Sequence, residues 1–229
     1  MAFVEVGIRL SYVALGDTKF PPVIFLPGIM GTKKNLEHFV KKFLEKMPQT
    51  SALIFDLRNH GESSKHCEPY TVDACAKDVA EAINVLGLKP KAVIGHSFGG
   101  KVALLVSEKL KLSQAWLLDC PLGKINAKPL NNSLNVLEIL EKLDKIPWPL
   151  HARNDLVIKL QALGAAREIA LWMTTNLRQE NDGLYLNFYP EDMKKLLMDF
   201  LSLDLWPKAQ ALSEHTQIHL VQAEHGERL

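Results

Sequence analysis

The stretch Ala92-Val93-Ile94-Gly95-His96-Ser97-Phe98-Gly99-Gly100-Lys101-Val102-Ala103-Leu104-Leu105 decides how the rest of the chain is read. Its first three residues form a short apolar run, which predicts a buried strand, and the residues from Gly100 onward read as a helix. Between them, Gly95-His96-Ser97-Phe98-Gly99 sets a glycine two positions to either side of a serine. A chain that turns from strand to helix within so few residues brings those flanking positions against strand and helix, where a side chain would collide. The serine is left exposed at a helix N-terminus, whose free N–H groups favour developing negative charge. The pattern predicts a nucleophilic Ser97, with a glycine-rich turn lacking chemistry as the competing reading.

The same strand-then-helix rhythm extends in both directions. Val4 to Ala14 alternates apolar and polar residues with a break at Gly7, which predicts two short antiparallel strands. Val23-Ile24-Phe25-Leu26, ending in Pro27-Gly28, and Ala52-Leu53-Ile54-Phe55 read as buried strands. Leu36, Phe39, Val40, Phe43 and Leu44 recur at helical spacing, and Val72 to Leu86 forms a second amphipathic helix. After the helix that ends near Leu110 comes the strand Ala115-Trp116-Leu117-Leu118. Alternation of buried strands with helices predicts an α/β fold, a mostly parallel sheet covered on both faces. From 121 to 207 there are helical patterns, prolines and aromatics but no clear buried strand, which predicts a helical insertion above the sheet within a single domain over 1–229. Ile218-His219-Leu220-Val221 returns as one more strand.

Composition narrows the classes. The 229 residues are 47% hydrophobic with a formal net charge of +1, which gives no electrostatic case for nucleic acid or an anionic membrane. Lysines gather at Lys33-Lys34 and Lys41-Lys42; the second pair alternates with apolar residues and reads as the solvated face of a helix. Cys67, Cys75 and Cys120 are odd in number and show no metal spacing, which predicts reduced thiols, no metal and a cytoplasmic setting. Met1 to Val6 carries no basic region and no long apolar run, and no stretch reaches transmembrane length.

A serine hydroxyl needs a base, a group to orient that base, and donors for the oxyanion. The Phe98 N–H at the helix start is one candidate donor. Pro27-Gly28-Ile29-Met30-Gly31 supplies the other, with Ile29 preferred and Met30 its neighbour. The orienting acid should lie at a strand end on the same sheet edge, where Asp119 follows the Ala115–Leu118 run. Asp56 also closes a strand, but Asp56-Leu57-Arg58-Asn59-His60-Gly61-Glu62-Ser63 reads as a turn tied down by its own Asp56 and Arg58. Of eight histidines only His225 follows the last visible strand; it is the candidate base, set against the reading of a solvated histidine near a chain end.

With these residues in hand, the chain resembles the α/β-hydrolase superfamily, and within it the branch of small acyl-ester hydrolases that includes abhydrolase domain-containing protein 11 and related bacterial esterases. Arg58-Asn59-His60-Gly61, the elbow with its trailing Gly100-Lys101, Leu118-Asp119-Cys120-Pro121 and Thr175-Asn176-Leu177 carry the resemblance. It implies a nucleophile elbow at Ser97, Asp119 as the acid, an apolar acyl ester or thioester as substrate, and no cofactor. It also implies a last helix, a last strand and a histidine beyond Leu229, so the expectation is a shortened form with impaired turnover. A non-catalytic remnant that binds a small ligand is the alternative, and carbon–carbon bond cleavage on the same fold stays open. Epoxide and haloalkane hydrolysis is disfavoured, since that chemistry needs a carboxylate where Ser97 stands.

Overall fold

The computed structural model describes residues 2–125 and 136–223. In chain order the elements are β1 (Ala2–Glu5), β2 (Arg9–Leu15), β3 (Pro22–Leu26), α1 (Lys33–Lys46), β4 (Ser51–Phe55), α2 (Val72–Val85), β5 (Ala92–His96), α3 (Phe98–Leu110) and β6 (Gln114–Leu118). They continue with α4 (Val136–Asp144), α5 (Arg153–Ala162), α6 (Arg167–Thr174), β7 (Leu177–Glu180), β8 (Gly183–Leu186), α7 (Pro190–Ser202), α8 (Trp206–Leu212) and β9 (Gln217–Val221).

Seven strands form one sheet in the order β1-β2-β4-β3-β5-β6-β9, antiparallel at β1 and β2 and parallel from β4 onward. Strand alternation splits the core in two. Ile24 and Leu26 of β3, with Leu53 and Phe55 of β4, join the larger apolar cluster, which also contains buried residues of α2 and α3. Val23 and Phe25, with Ala52 and Ile54, face the other way onto Val40 of α1. Short apolar runs in β3 and β4 are therefore buried on both faces, as parallel strands between helices require.

The strand order reverses between β3 and β5: the chain leaves β3 for β4 on one side, then returns to lay β5 on the other. Loops leaving the carboxyl ends of β3 and β5 diverge at such a switch point and leave a crevice between them. Those are the loops that carry Ile29 and Ser97.

The segment after β6 differs from the sequence expectation in one respect. It is mainly helical, but it also holds a two-stranded hairpin, β7 paired antiparallel with β8. Apolar runs could not reveal it, because Arg178, Gln179 and Glu180 are exposed and only Leu177 of β7 is buried. Turn chemistry carried the remaining signal: Asn181-Asp182-Gly183, with Gly183 at φ 152°. The helices of this segment share the main core through Leu140, Leu156, Met173 and Leu196.

Candidate active site

Ser97 sits between β5 and α3 at φ 50°, ψ −115°, a region that an L-residue enters only at a cost. Two close approaches force it. A β-carbon on Gly95 would lie 2.0 Å from the Gly99 carbonyl oxygen, and one on Gly99 would lie 2.4 Å from the Pro27 carbonyl oxygen. Both glycines of the motif are thus dictated by backbone packing. The turn is pinned by the Ser97 N–H donating to the Leu118 carbonyl (2.9 Å) and the Gly100 N–H donating to the Ser97 carbonyl (2.8 Å). Ser97 is half-buried, and its hydroxyl does not cap α3.

The loop after β3 lies directly beside it. A β-carbon on Gly28 would stand 3.6 Å from Ser97 Cβ and 3.1 Å from His96 Nδ1. Gly31 N–H closes a tight turn onto the Gly28 carbonyl (2.9 Å), and Met30, fully buried, is held at φ 58°. Ile29 lies within this turn, and among the described residues no backbone acceptor takes its N–H. Phe98 opens α3, where the helix itself provides no acceptor for the first amides.

Asp119 follows β6, the strand next to β5. The register pairs His96 with Leu118, so Ser97 and Asp119 leave neighbouring strands at the same level. Asp119 is half-buried at φ 47°, its N–H held by the Val221 carbonyl at 2.7 Å. Asp56 is placed differently. Its side chain is fully buried, and its carboxylate accepts the Lys33 N–H (2.6 Å), the Lys33 Nζ (2.6 Å) and the Glu62 N–H (2.9 Å). That carboxylate is consumed by structure, as the turn reading of Asp56–Ser63 expected, and its principal partner is Lys33. Arg58 instead forks onto Asp78 (2.6 and 2.7 Å) and donates to the Pro69 carbonyl. Partial burial works against ionisation of Glu62, but the hydrogen bond from Lys33 and the charges of Lys33 and Lys34 outweigh it and hold its pKa below the usual carboxylate value.

The histidines divide clearly. His225, the sequence candidate for the base, lies outside the described residues. His60 is buried against Phe98, with Nδ1 2.8 Å from the Arg58 carbonyl oxygen. Desolvation pushes its pKa down to about 4, although the Arg58 carbonyl and the Asp56 charge act the other way. A testable consequence concerns stability. The unfolded chain binds the proton near pH 6.5, whereas folded His60 refuses it until about pH 4. As pH falls through that window, folding should lose up to roughly 1.4 kcal/mol per pH unit from this one residue. Urea midpoints of wild type and His60→Gln at pH 7, 6 and 5 should converge as the pH falls. Parallel pH dependences would show that His60 takes up its proton equally in both states.

Two features join this centre to the segment after β6. Lys101, fully buried in α3, donates Nζ to the carbonyls of Phe200 (2.9 Å), Leu203 (2.6 Å) and Gly123 (3.0 Å), so a cation meets the C-terminal end of α7. Asn35, in the first turn of α1, reaches Thr175 Oγ1 at 3.4 Å. The sequence singled out both Lys101 and Thr175-Asn176-Leu177 as motif residues; their work here is to dock the helical segment. Among the described residues there is no cluster of histidine, cysteine and acidic side chains suited to a metal ion, and no helix is long and apolar enough to cross a membrane.

Comparisons agree with this architecture. A family model described as alpha/beta hydrolase fold matches residues 21–118, which run from β3 through β6. Ethanol acetyltransferase 1 of Cyberlindnera jadinii is 37% identical over 101 residues, covering 44% of this chain and 30% of that protein. The sn-1-specific diacylglycerol lipase ABHD11 of Mus musculus is 28% identical over 176 residues, covering 74% of this chain and 56% of the relative; for that of Xenopus laevis the shares are 85% and 62%. The chain thus spans less than two thirds of the length of these curated relatives. Among solved structures, a marine microorganism esterase superposes with a TM-score of 0.79 at 19% identity, over 93% of this chain and 91% of that one. The matched strands, the sheet order and these likenesses agree, and residues 21–118 carry the α/β-hydrolase fold of that family.

Proposed function

We propose that the chain is a serine hydrolase acting on an apolar acyl ester or thioester, with Ser97 as nucleophile on a nucleophile elbow. The observation that supports this best is Ser97 held at φ 50° at the sheet's switch point, with the backbone of the Gly28–Gly31 turn packed against it. Strain at a half-buried serine beside free amides has no structural return of its own and fits a reacting group. In this reading Ser97 Oγ attacks the acyl carbonyl while a histidine takes its proton. The Ile29 and Phe98 N–H groups receive the oxyanion, and Asp119 orients the base and stabilises its charged form. The alcohol or thiol leaves with that proton, and a second nucleophile releases the acyl group. His225 stands as the candidate base, set against the reading of a solvated histidine near a chain end, and 121–207 takes the role of lid. The apolar acyl preference is supported by the leucines and aromatics of that segment and by the diacylglycerol lipase relatives. The chain's buried Cys67, Cys75 and Cys120, none of them in a disulfide, suit a reducing cytoplasm.

Likeness to ethanol acetyltransferases favours a second acceptor: ethanol in place of water at the acyl-serine, giving an ethyl ester instead of an acid. The test incubates the chain with p-nitrophenyl esters from acetyl to dodecanoyl, with and without ethanol, and maps the adduct of a fluorophosphonate. Weak turnover with an adduct on the peptide containing Ser97 is expected, and His225→Ala should change that turnover little; its loss in the variant would make His225 the base. Ethyl ester in the product mixture would add the transferase reading. No adduct and no turnover, with retained binding of an acyl ligand, would leave the non-catalytic binding protein.

A further inference from the structure

Lys33 and Asp56 form a buried pair that the mechanism above does not use. Their side chains are 3% and 0% exposed. Burying a cation and a carboxylate is costly unless their geometry is fixed and their remaining hydrogen bonds are met. Here both conditions hold. One Asp56 oxygen takes the Lys33 N–H, the first amide of α1, where a helix favours negative charge; the other takes Lys33 Nζ and the Glu62 N–H. Lys33 Nζ also meets Glu62 Oε2 at 2.5 Å. Asp56 itself is anchored, its N–H on the Ser11 carbonyl and its own carbonyl under Ser63 Oγ.

The pair sits at the end of the turn that carries Ile29. That turn contains a fully buried Met30 at φ 58°, a conformation that persists only when its surroundings over-determine it. Its first end is fixed by β3. Its second end enters α1 at Thr32-Lys33, and there Asp56 grips both the Lys33 backbone and its side chain. A carboxylate at the end of β4 thereby sets where the neighbouring β3 turn lies relative to Ser97.

We propose that Lys33–Asp56 is the positioning device of the oxyanion turn: it never touches substrate, and it acts on the reaction by holding the Ile29 N–H in place. The assignment rests on reading Ser97 as the nucleophile. Oxyanion donors work in the transition state, so loosening them lowers kcat rather than raising KM.

The experiment compares wild type, Asp56→Asn, Lys33→Met and Lys33→Arg on a p-nitrophenyl ester. Active sites are counted by fluorophosphonate, and hydrogen exchange is followed across the chain, all below each variant's own midpoint. Asp56→Asn and Lys33→Met should each lower kcat per counted site by roughly 10²-fold with KM within about twofold. Amides over 28–33 should exchange about tenfold faster while those of α2 and α3 hold their rates. Lys33→Arg, which keeps the cation, should recover most of the loss. An unchanged kcat per site, a loss carried by KM, or exchange raised evenly over the whole sheet would overturn the proposal. Should one variant fail to fold, the other gives the same readout. If wild type shows no Ser97-dependent turnover, the hydrolase reading falls, and exchange over 28–33 by itself decides whether the pair holds the turn.

Discussion

Ser97→Ala should abolish labelling by a fluorophosphonate and lower ester turnover on the order of 10³-fold or more, while leaving the fold intact. The two halves of that expectation have separate physical grounds. Loss of reactivity follows from removing the hydroxyl placed at the switch point beside the Gly28–Gly31 turn. Survival of the fold follows because alanine keeps the β-carbon that the turn already accommodates, and the lost hydroxyl caps no helix amide. Ser97→Gly sharpens the test. Glycine relaxes the strain of φ 50°, worth about 1–3 kcal/mol, and the entropy glycine adds to the unfolded chain takes back roughly 0.5–1 kcal/mol. An inactive variant about 1 kcal/mol more stable than wild type in urea is expected, the mark of a residue kept for reactivity at the expense of stability. Label that persists in either variant would put the nucleophile elsewhere.

Much of this was legible in the sequence, for identifiable reasons. β3 and β4 are short apolar runs buried on both faces, and β5 and β6 are short apolar runs with one face fully buried, so hydrophobicity alone marks them, and glycine spacing marks the turn at Ser97. Asp119 could be placed because parallel strands deliver their carboxyl ends to one edge. What stayed hidden depends on contacts distant in sequence. Lys33 stands beside the exposed Lys34 and looks no different from it, yet it is buried because Asp56 needs a cation. The signal was present on the Asp56 side: a strand-ending carboxylate next to Gly61, where a β-carbon would fall 2.3 Å from Asp56 Oδ2, has room only for backbone amides and one buried partner. Lys101 was noticed as a motif residue, but its task could not be read, since its acceptors are carbonyls of residues up to about a hundred positions away. The β7–β8 hairpin escaped because its strands are four residues each and β7 is mostly polar.

Asp119→Asn is the change that separates the two carboxylates, and it should lower kcat on the order of 10³-fold or more, well beyond the loss at Asp56. Asparagine keeps the size and one acceptor oxygen but removes the charge that stabilises a protonated base, and its amide favours the wrong tautomer of that base. The substitution is also gentle on the fold. Asp119 sits at φ 47°, and asparagine is among the few residues that tolerate the left-handed region, while the N–H to the Val221 carbonyl belongs to the backbone and stays. Asp56→Asn behaves in the opposite manner: it strips the charge from a fully buried carboxylate facing Lys33, so its first cost is stability. Thermal midpoints and kcat per counted site, measured on both variants, should therefore fall in opposite order. Asp119→Asn should stay near wild type in midpoint and lose most activity; Asp56→Asn should lose midpoint and a smaller share of kcat. The reverse ranking of kcat, with both variants folded, would move the acid to the end of β4 and leave Asp119 as a residue of the β6–β9 edge alone.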